Sequence, residues 1–166
     1  LGIRGDTSAE IGPRWRTECE ARLPASLNGA VVFNFGLNDA TEQDGEIRVP
    51  MGQSIKNVRT MITDAKALYP TIWVGPTPVD ETRQPMITDT GDSRDKRNRR
   101  TADYNLGFKA LAYELEIPYL DMMSKLINEA DWPSLLADGL HPNPDGHQKM
   151  AGLVGGWDGW RKLLDG

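Results

Sequence analysis

The sequence predicts an α/β protein whose parallel β-sheet is covered by helices on both faces. Three short apolar segments, residues 30–35, 71–75 and 117–121, alternate with longer segments in which apolar residues recur every three or four positions. The first apolar segment is rich in β-branched and aromatic residues, which is typical of a strand buried on both faces. Strands that alternate with helices of about 15 residues indicate βαβ units. The chain has 166 residues and shows no repeat and no second domain, so residues 1–166 are interpreted as a single domain.

The N-terminal part is predicted to contain the end of a strand, a helix and a first complete strand. Residues 1–5 are interpreted as a strand that runs into a loop, and residues 6–8 are of the types that cap helices. A four-residue spacing of apolar side chains predicts one buried helical face, carried by Ile11, Trp15, Cys19 and Leu23. Residues 24–29 interrupt this pattern, and residues 30–35 form the first complete strand.

The rest of the chain is predicted to contain two long helices, two further strands and two polar loops. Residues 41–50 are predicted to be a loop, followed by a helix that ends at Pro70. Residues 76–100 form a second, longer loop between strand 71–75 and a helix over residues 104–115. Strand 117–121 leads into a short helix at residues 122–130. The last helix is predicted to start with Asn143 as N-cap and Pro144 at its first position, and to continue through Trp157 to Trp160 or Arg161.

The composition argues against several classes of function. The net charge of −5 and the pI of about 5.0 give no reason to expect binding to nucleic acid or to an anionic membrane. No apolar run is long enough to span a bilayer. Cys19 is the only cysteine, so an internal disulfide is excluded and a reducing compartment such as the cytoplasm is expected.

Both histidines lie in one short stretch that is rich in glycine and proline, residues 138–147. Asp138 precedes His141 by three residues in a segment unsuited to the middle of a helix or strand, so the carboxylate can fold back onto the imidazole. A carboxylate hydrogen-bonded to Nδ1–H fixes the tautomer and leaves Nε2 free as a general base. Asp138 and His141 are therefore candidates for two members of a hydrolytic triad.

Three segments resemble the sequence blocks of the SGNH hydrolases, also called GDSL hydrolases. Residues 36–39, Gly-Leu-Asn-Asp, follow an apolar strand and resemble the Gly-x-Asn-Asp block. Residues 138–142, Asp-Gly-Leu-His-Pro, resemble the final Asp-x-x-His-Pro block. Residues 2–8 resemble the second block, which supplies a glycine. The three segments have the order and spacing of the family and extend over nearly the whole chain.

The resemblance implies a flavodoxin-like α/β/α sandwich that hydrolyses small-molecule esters of small or medium acyl groups, without metal or organic cofactor. His141 would be the general base and Asp138 the residue that orients it. The side-chain amide of Asn38 and the backbone N–H of Gly5 would form the oxyanion hole. Preorganised donors of this kind stabilise a tetrahedral intermediate by about 3–4 kcal/mol each.

The family's serine nucleophile belongs to a Gly-Asp-Ser block that precedes the Gly5 segment, and no such block precedes Gly5 here. The resemblance therefore implies that the nucleophile and the first, central strand lie upstream of Leu1 in a longer polypeptide. Residues 91–93 do read Gly-Asp-Ser, but Ser93 follows Thr-Asp-Thr instead of an apolar strand and is out of order. Ser93 is therefore not assigned as the nucleophile.

Two other functions stay open at the level of sequence. One is a binding module that keeps the cleft without a nucleophile, and the other is a metal-dependent hydrolase that uses Asp138 and His141 in a zinc or manganese site with Asp145 and His147. His147 is otherwise interpreted as a structural histidine near a helix N-terminus, and Asp39 as a residue that caps the turn or braces the site by hydrogen bonds. The five basic residues from Arg94 to Arg100 are interpreted either as a solvated loop or as a lid that attracts acidic or phosphorylated substrates.

Overall fold

The computed structural model describes residues 2–24 and 28–165, so part of the interruption predicted at residues 24–29 lies outside the described residues. The strands are β1 (Val31–Asn34), β2 (Glu42–Gln43), β3 (Glu46–Ile47), β4 (Thr71–Val74), β5 (Met86–Ile87), β6 (Ser93–Asp95) and β7 (Tyr119–Leu120). The helices are α1 (Ser8–Ile11), α2 (Trp15–Glu20), α3 (Met51–Leu68), α4 (Asn98–Glu114), α5 (Met122–Leu126), α6 (Pro144–Gly155) and α7 (Asp158–Asp165). Two 3₁₀ turns, Glu81–Arg83 and Trp132–Leu135, lie in the connections.

The predicted parallel sheet is confirmed, with strand order β1-β4-β7. β1 pairs with β4 from Val31 opposite Thr71 onwards, and β4 pairs with β7 with Trp73 opposite Tyr119. Helix α3 connects the first pair of strands and α4 the second, as two βαβ units require. The α/β class predicted from the alternating pattern is therefore confirmed.

Helices cover both faces of this sheet, because successive strand residues point to opposite sides. Trp73 belongs to a buried cluster with side chains of α3 and α4, including Val58, Ile62 and Phe108. The next residue, Val74, belongs to a second cluster with side chains of α5, the Trp132–Leu135 turn and α6. The molecule thus has three layers, with the sheet in the middle.

The two segments predicted to be polar loops instead form a second, antiparallel sheet with strand order β3-β2-β6-β5. Residues 41–50 contain a hairpin whose turn is Asp44-Gly45, both with positive φ, and Asp-Gly is the strongest short hairpin signal. Residues 76–100 contribute β5 and β6 and already include the start of α4. These strands have two or three residues each, too few for an alternating pattern to reveal them.

Three further boundaries differ from the prediction. Residues 2–5 form a turn closed by a hydrogen bond from Asp6 N–H to Ile3 O, instead of the end of a strand, and Leu1 lies outside the described residues. The first predicted helix is divided into α1 and α2 by the Gly12-Pro13 region. The last is divided into α6 and α7 after Gly155-Gly156, because paired glycines weaken a helix. The start of α6 is as predicted, with Asn143 Oδ1 accepting from Gly146 N–H at 2.9 Å.

β1 lies at the edge of the parallel sheet formed by the described residues. Val31 N–H donates to Pro70 O on the side of β4, so the N–H groups of Val32 and Asn34 face the opposite, open side. The side chain of Val32 is 44% exposed although it follows a buried residue. None of the helices in the described part of the chain has the length and apolar character needed to cross a bilayer.

Candidate active site

The loop from residues 136 to 142 holds Asp138 and His141 as a hydrogen-bonded pair. His141 Nδ1 lies 2.7 Å from Asp138 Oδ2, and the backbone N–H of His141 donates to Asp138 Oδ1 at 2.7 Å. The loop is closed by Ala137 N–H, which donates to His141 O at 2.8 Å. Gly139 has φ +85°, a conformation that glycine adopts without strain. The sequence prediction that the carboxylate folds back onto the imidazole agrees with this geometry.

The hydrogen bonds to Asp138 keep it ionised. Burial by itself would raise the pKa of the Asp138 carboxyl, but hydrogen bonds from the backbone N–H and ring of His141 and from the N–H of Leu140 outweigh it and hold the pKa well below its usual range. An ionised Asp138 at Nδ1 leaves Nε2 of a neutral His141 as the proton acceptor. The His141 side chain is 54% exposed, so Nε2 is accessible to a reacting group.

Asn38 lies just beyond the carboxyl end of β1, where ligands bind in open parallel sheets. Only a glycine fits at residue 36 of this loop, because its φ is +116° and a Cβ there would lie 2.4 Å from Phe108 Cε2. The Asn38 amide Nδ2 donates one hydrogen to Asp6 O at 3.0 Å. An amide nitrogen carries two hydrogens, so the second is available to an oxyanion.

Gly5 lies beside Asn38 in the turn that precedes α1. Its carbonyl accepts a hydrogen bond from Arg48 Nη1 at 2.8 Å, and its φ is +85°. Its N–H donates to no acceptor in the part of the chain that the structure describes. A backbone N–H without an acceptor, in a turn whose neighbouring carbonyl is held by a hydrogen bond, is suited to an oxyanion hole.

Asp39 connects the elements that carry these donors. Its side chain is fully buried, Oδ1 accepts from the N–H of Ser8 at 2.7 Å, and Oδ2 accepts from Ser54 Oγ at 2.5 Å. These contacts join the loop after β1 to the start of α1 and to α3. The prediction that Asp39 braces the site through hydrogen bonds is therefore confirmed.

Asn38 and His141 line the same cleft, which has a volume of about 700 Å³. Asp6 and Trp15 of α2 also line this cleft, and residues 30–37 line it along the open edge of β1. The candidate base and one candidate oxyanion donor therefore face a common space beside the sheet edge.

The sequence analysis did not assign three cations at the site: Arg48, Arg94 and Lys96. Arg48 holds Gly5 O, as described above. Arg94 lies so close to Gly5 that a Cβ on that glycine would be 3.2 Å from Arg94 Nη1. Lys96 is 3% exposed, so this part of the basic segment is not a solvated loop. The run of basic residues was the available signal, but only the second sheet shows which of them turn inward.

The other candidates have different surroundings. Ser93 lies in β6, where its N–H donates to Asp44 Oδ1 at 2.9 Å, and it does not line the cleft with His141. His147 is exposed on the first turns of α6. Within residues 2–24 and 28–165, no group of three or more His, Cys, Asp and Glu side chains is arranged to hold a metal ion, and this includes the set predicted around His141.

Comparison with known proteins agrees with this geometry. Three solved structures share the fold. A lipase/acylhydrolase of Enterococcus faecalis is 20% identical with a TM-score of 0.71, and the match covers 90% of this chain and 69% of that chain. A Bacteroides fragilis protein described as an acylhydrolase is 24% identical with a TM-score of 0.72 (99% of this chain, 73% of that chain), and an acetylxylan esterase of Geobacillus stearothermophilus is 21% identical with a TM-score of 0.68 (92% of this chain, 67% of that chain). None of the curated proteins searched matches significantly. The model of the GDSL-like lipase/acylhydrolase family matches residues 1–149, so the resemblance seen in the three sequence blocks is confirmed. The chain belongs to the GDSL-like lipase/acylhydrolase family of carboxylic ester hydrolases.

Proposed function

We propose that this chain is the larger part of a serine-type ester hydrolase that acts on small to medium acyl esters through an acyl-enzyme. The observation that carries the proposal is the Asp138–His141 pair, with its 2.7 Å hydrogen bond, opening onto the same cleft as Asn38. A base with an oriented tautomer and an oxyanion donor in one cleft are the parts that acyl transfer needs from the protein, besides a nucleophile.

The proposed reaction has two stages. His141 Nε2 takes the proton of a serine hydroxyl as its oxygen attacks the ester carbonyl, and the Gly5 N–H and the Asn38 amide donate to the oxygen that becomes negative. The intermediate collapses, the alcohol leaves with the proton from His141, and the acyl group stays on the serine. His141 then takes a proton from water as the water oxygen attacks the acyl-enzyme, and it returns this proton to the serine oxygen as the acid is released. Asp138 stabilises the imidazolium formed in each stage.

The nucleophile of the proposed enzyme is a serine on a segment upstream of Leu1, which pairs with the open edge of β1. Such a strand would run parallel to β1 and end beside Asn38 and His141, because both residues line the cleft that lies along that edge. Support comes from the acetylxylan esterase, whose serine, aspartate and histidine variants are described as catalytic mutants. In that protein the histidine follows the aspartate by three positions, as in this chain, and the serine precedes both by more residues than this chain has before Asp138.

Labelling with a fluorophosphonate tests the nucleophile directly. The full-length polypeptide that contains this chain is treated with the probe, and the modified peptide is identified by mass spectrometry. We expect the label on a serine upstream of Leu1. Label on Ser93 would refute this assignment of the nucleophile, whereas a folded protein that takes no label would favour a binding module. Activity that a chelator abolishes and the probe does not affect would favour a metal-dependent hydrolase.

Substitutions of the two histidines test the base. We expect His141→Ala to lower kcat by about 10⁴-fold or more, since the serine then has no base. Asp138→Asn should lower it by up to about 10⁴-fold, because the histidine tautomer is no longer fixed. His147→Ala is the matched control, since His147 is exposed on α6, and it should leave kcat unchanged. Equal losses in the two histidine variants would contradict the proposed site.

A further inference from the structure

The side chain of Lys96, directly after β6, is largely buried, and its ammonium group has no hydrogen-bond partner among the described residues. The residue is 3% exposed, yet its Nζ forms neither an ion pair nor a hydrogen bond with any residue that the structure describes. Burial, and then the charges of Arg94 and Arg48, lowers the pKa of Lys96 to about 8. A buried charge is costly unless an anion or several hydrogen-bond acceptors compensate it.

A second donor without an acceptor lies next to Lys96. Gln84 Oε1 accepts from the backbone N–H of Lys96 at 3.3 Å, which places the Gln84 amide beside this residue. Gln84 Nε2 is buried and has no hydrogen-bond partner in the described part of the chain. The carboxylate nearest in sequence, Asp95, accepts from Arg97 through Oδ2 at 2.9 Å, and its Oδ1 is buried without a hydrogen-bond partner in the described residues, so neither oxygen is paired with Lys96. Two neighbouring groups thus lack acceptors.

Arg94 adds a second positive charge next to the candidate oxyanion hole. Its guanidinium adjoins Gly5, and its Nε donates to the uncharged Gln43 Oε1 at 3.1 Å. Arg94 forms no ion pair with a described carboxylate, whereas Arg48 lies 3.4 Å from Glu10. Neither Arg94 nor Lys96 therefore forms an ion pair with a carboxylate in the described part of the chain, although Asp95 and Asp138 are near enough for their charges to act on Lys96.

The same cluster adjoins the loop of the candidate base. The segment that ends in Gln84 is fixed to this loop, because Asp80 N–H donates to Gly139 O at 2.9 Å and Arg83 Nη1 donates to Ala137 O at 3.2 Å. The charge of Lys96 also acts on the Asp138 carboxylate. The cluster therefore neighbours both the Gly5 side and the Asp138 side of the site.

We propose that Lys96 and Arg94, together with the amide of Gln84, bind an anionic group of the substrate, a carboxylate or a phosphate located near the ester. The inference rests on the proposed function, because it names the substrate class of the same site. An oxyanion supplies acceptors to all three side chains, and hydrogen bonds between charged groups are about twice as strong as neutral ones. The chain as a whole has a net charge of −5, so the positive charge of this cluster is opposite in sign to that of the whole chain.

The first experiment compares anionic with neutral esters on the full-length polypeptide, by titrating the acid released. Methyl hemiesters of succinate and glutarate are paired with methyl butyrate and methyl valerate, and O-acetylglycolate is paired with propyl acetate. The first pairs place the anion on the acyl side and the last on the alcohol side. We expect a preference in kcat/KM for the anionic ester in at least one arm. We expect Lys96→Met and Arg94→Gln to reduce the ratio of anionic to neutral kcat/KM by about 10- to 100-fold.

The matched control is Lys56→Met, on the exposed face of α3, which should leave the ratio unchanged. Calorimetric titration with succinate and with inorganic phosphate measures binding without hydrolysis, and it separates the two anion classes. Binding to the wild-type protein that Lys96→Met abolishes supports the site, even if none of the esters is cleaved. Hydrolysis of neutral and anionic esters at equal kcat/KM, or absence of binding by both anions, would overturn the inference. Among these outcomes, only the absence of hydrolysis of every tested ester by the wild-type protein would count against the proposed function.

Discussion

At the scale of single residues, the candidate site depends on a few polar groups whose hydrogen bonds leave one function free. Asp138 uses Oδ1 for the backbone of its own loop and Oδ2 for the ring of His141, which leaves Nε2 open. Asn38 uses one amide hydrogen on Asp6 O, which leaves the other open. In both cases one hydrogen bond holds the side chain in place, and a different atom or hydrogen remains available for the proposed reaction.

The low pKa of Asp138 predicts a pH-dependent contribution to stability. A carboxyl group whose pKa is lower in the folded than in the unfolded state stabilises the fold above its unfolded value, about 3.9, and loses this contribution as the pH falls towards its folded value. We therefore expect Asp138→Asn to lower the free energy of unfolding at pH 7, and this difference to shrink below about pH 4. Urea denaturation at several pH values measures it. Asp64→Asn, at an exposed position of α3, is the control, and a pH-independent difference would contradict the prediction.

A second prediction at this scale concerns Asn38. Replacement by alanine removes one donor to the developing oxyanion and should lower kcat by about 10²–10³-fold, with little change in KM, because the interaction forms mainly in the transition state. Steady-state kinetics on a neutral acetyl ester measures both constants. Asn128→Ala, at an exposed residue after α5, should behave as wild type. An increase in KM without loss of kcat would assign Asn38 to substrate binding instead.

At the scale of elements, the site is a junction of short segments held together by one buried carboxylate. Asp39, in the loop after β1, hydrogen-bonds to Ser8 at the start of α1, directly after the turn that contains Gly5, and to Ser54 in α3. The second sheet then brings β6 and its cations to the same place, since β2 pairs with β6 across about fifty intervening residues. The geometry of the donors therefore depends on contacts between elements more than on any single loop.

The Asp39 junction can be tested through its partner in α3. Ser54→Ala leaves Asp39 Oδ2 buried without its hydroxyl donor, and this should lower the free energy of unfolding by about 1–3 kcal/mol. Urea denaturation measures the change. Thr60→Ala, which removes an exposed hydroxyl from the same helix, should change it by less than about 0.5 kcal/mol. Equal effects of the two substitutions would show that the junction contributes no specific stability.

At the scale of the whole molecule, the sheet has an open edge where the candidate site lies. An edge strand leaves every second N–H without a strand partner, and proteins usually cover or pair such edges. The edge in question belongs to β1, and the cleft that contains Asn38 and His141 runs along it. The proposed upstream strand would both pair this edge and carry the nucleophile, so assembly of the sheet and assembly of the active site would be one event.

Hydrogen exchange measured by NMR on the full-length polypeptide tests this arrangement. The N–H groups of Val32 and Asn34 face away from β4, and we expect them to be protected to a degree similar to Trp73 N–H, which donates to Pro118 O within the sheet. Protection would follow from pairing with the upstream strand. Rapid exchange of Val32 and Asn34 beside a protected Trp73 would mean that the edge of β1 stays unpaired.

The sequence by itself determined the class of fold and the pairing of Asp138 with His141. Apolar runs separated by long amphipathic segments specify buried parallel strands and their helices. A strand buried on both faces is apolar at every position, whereas a helix buried on one face is apolar at every third or fourth position. The Asp138–His141 contact was accessible for a related reason: the two residues are three positions apart in a turn, so their geometry is local. Asn143 and Pro144 were equally readable as the start of α6.

The tertiary structure decided everything that depends on distant partners. β2, β5 and β6 are too short to show a period, and they exist because they pair with one another. Their pairing turns Lys96 inward and brings Arg94 to Gly5, while Arg97 stays exposed, although all three belong to the same basic run. Charge and residue type are properties of the sequence. A charged side chain is buried, and so needs a partner to replace water, only when separate segments of the chain pack around it.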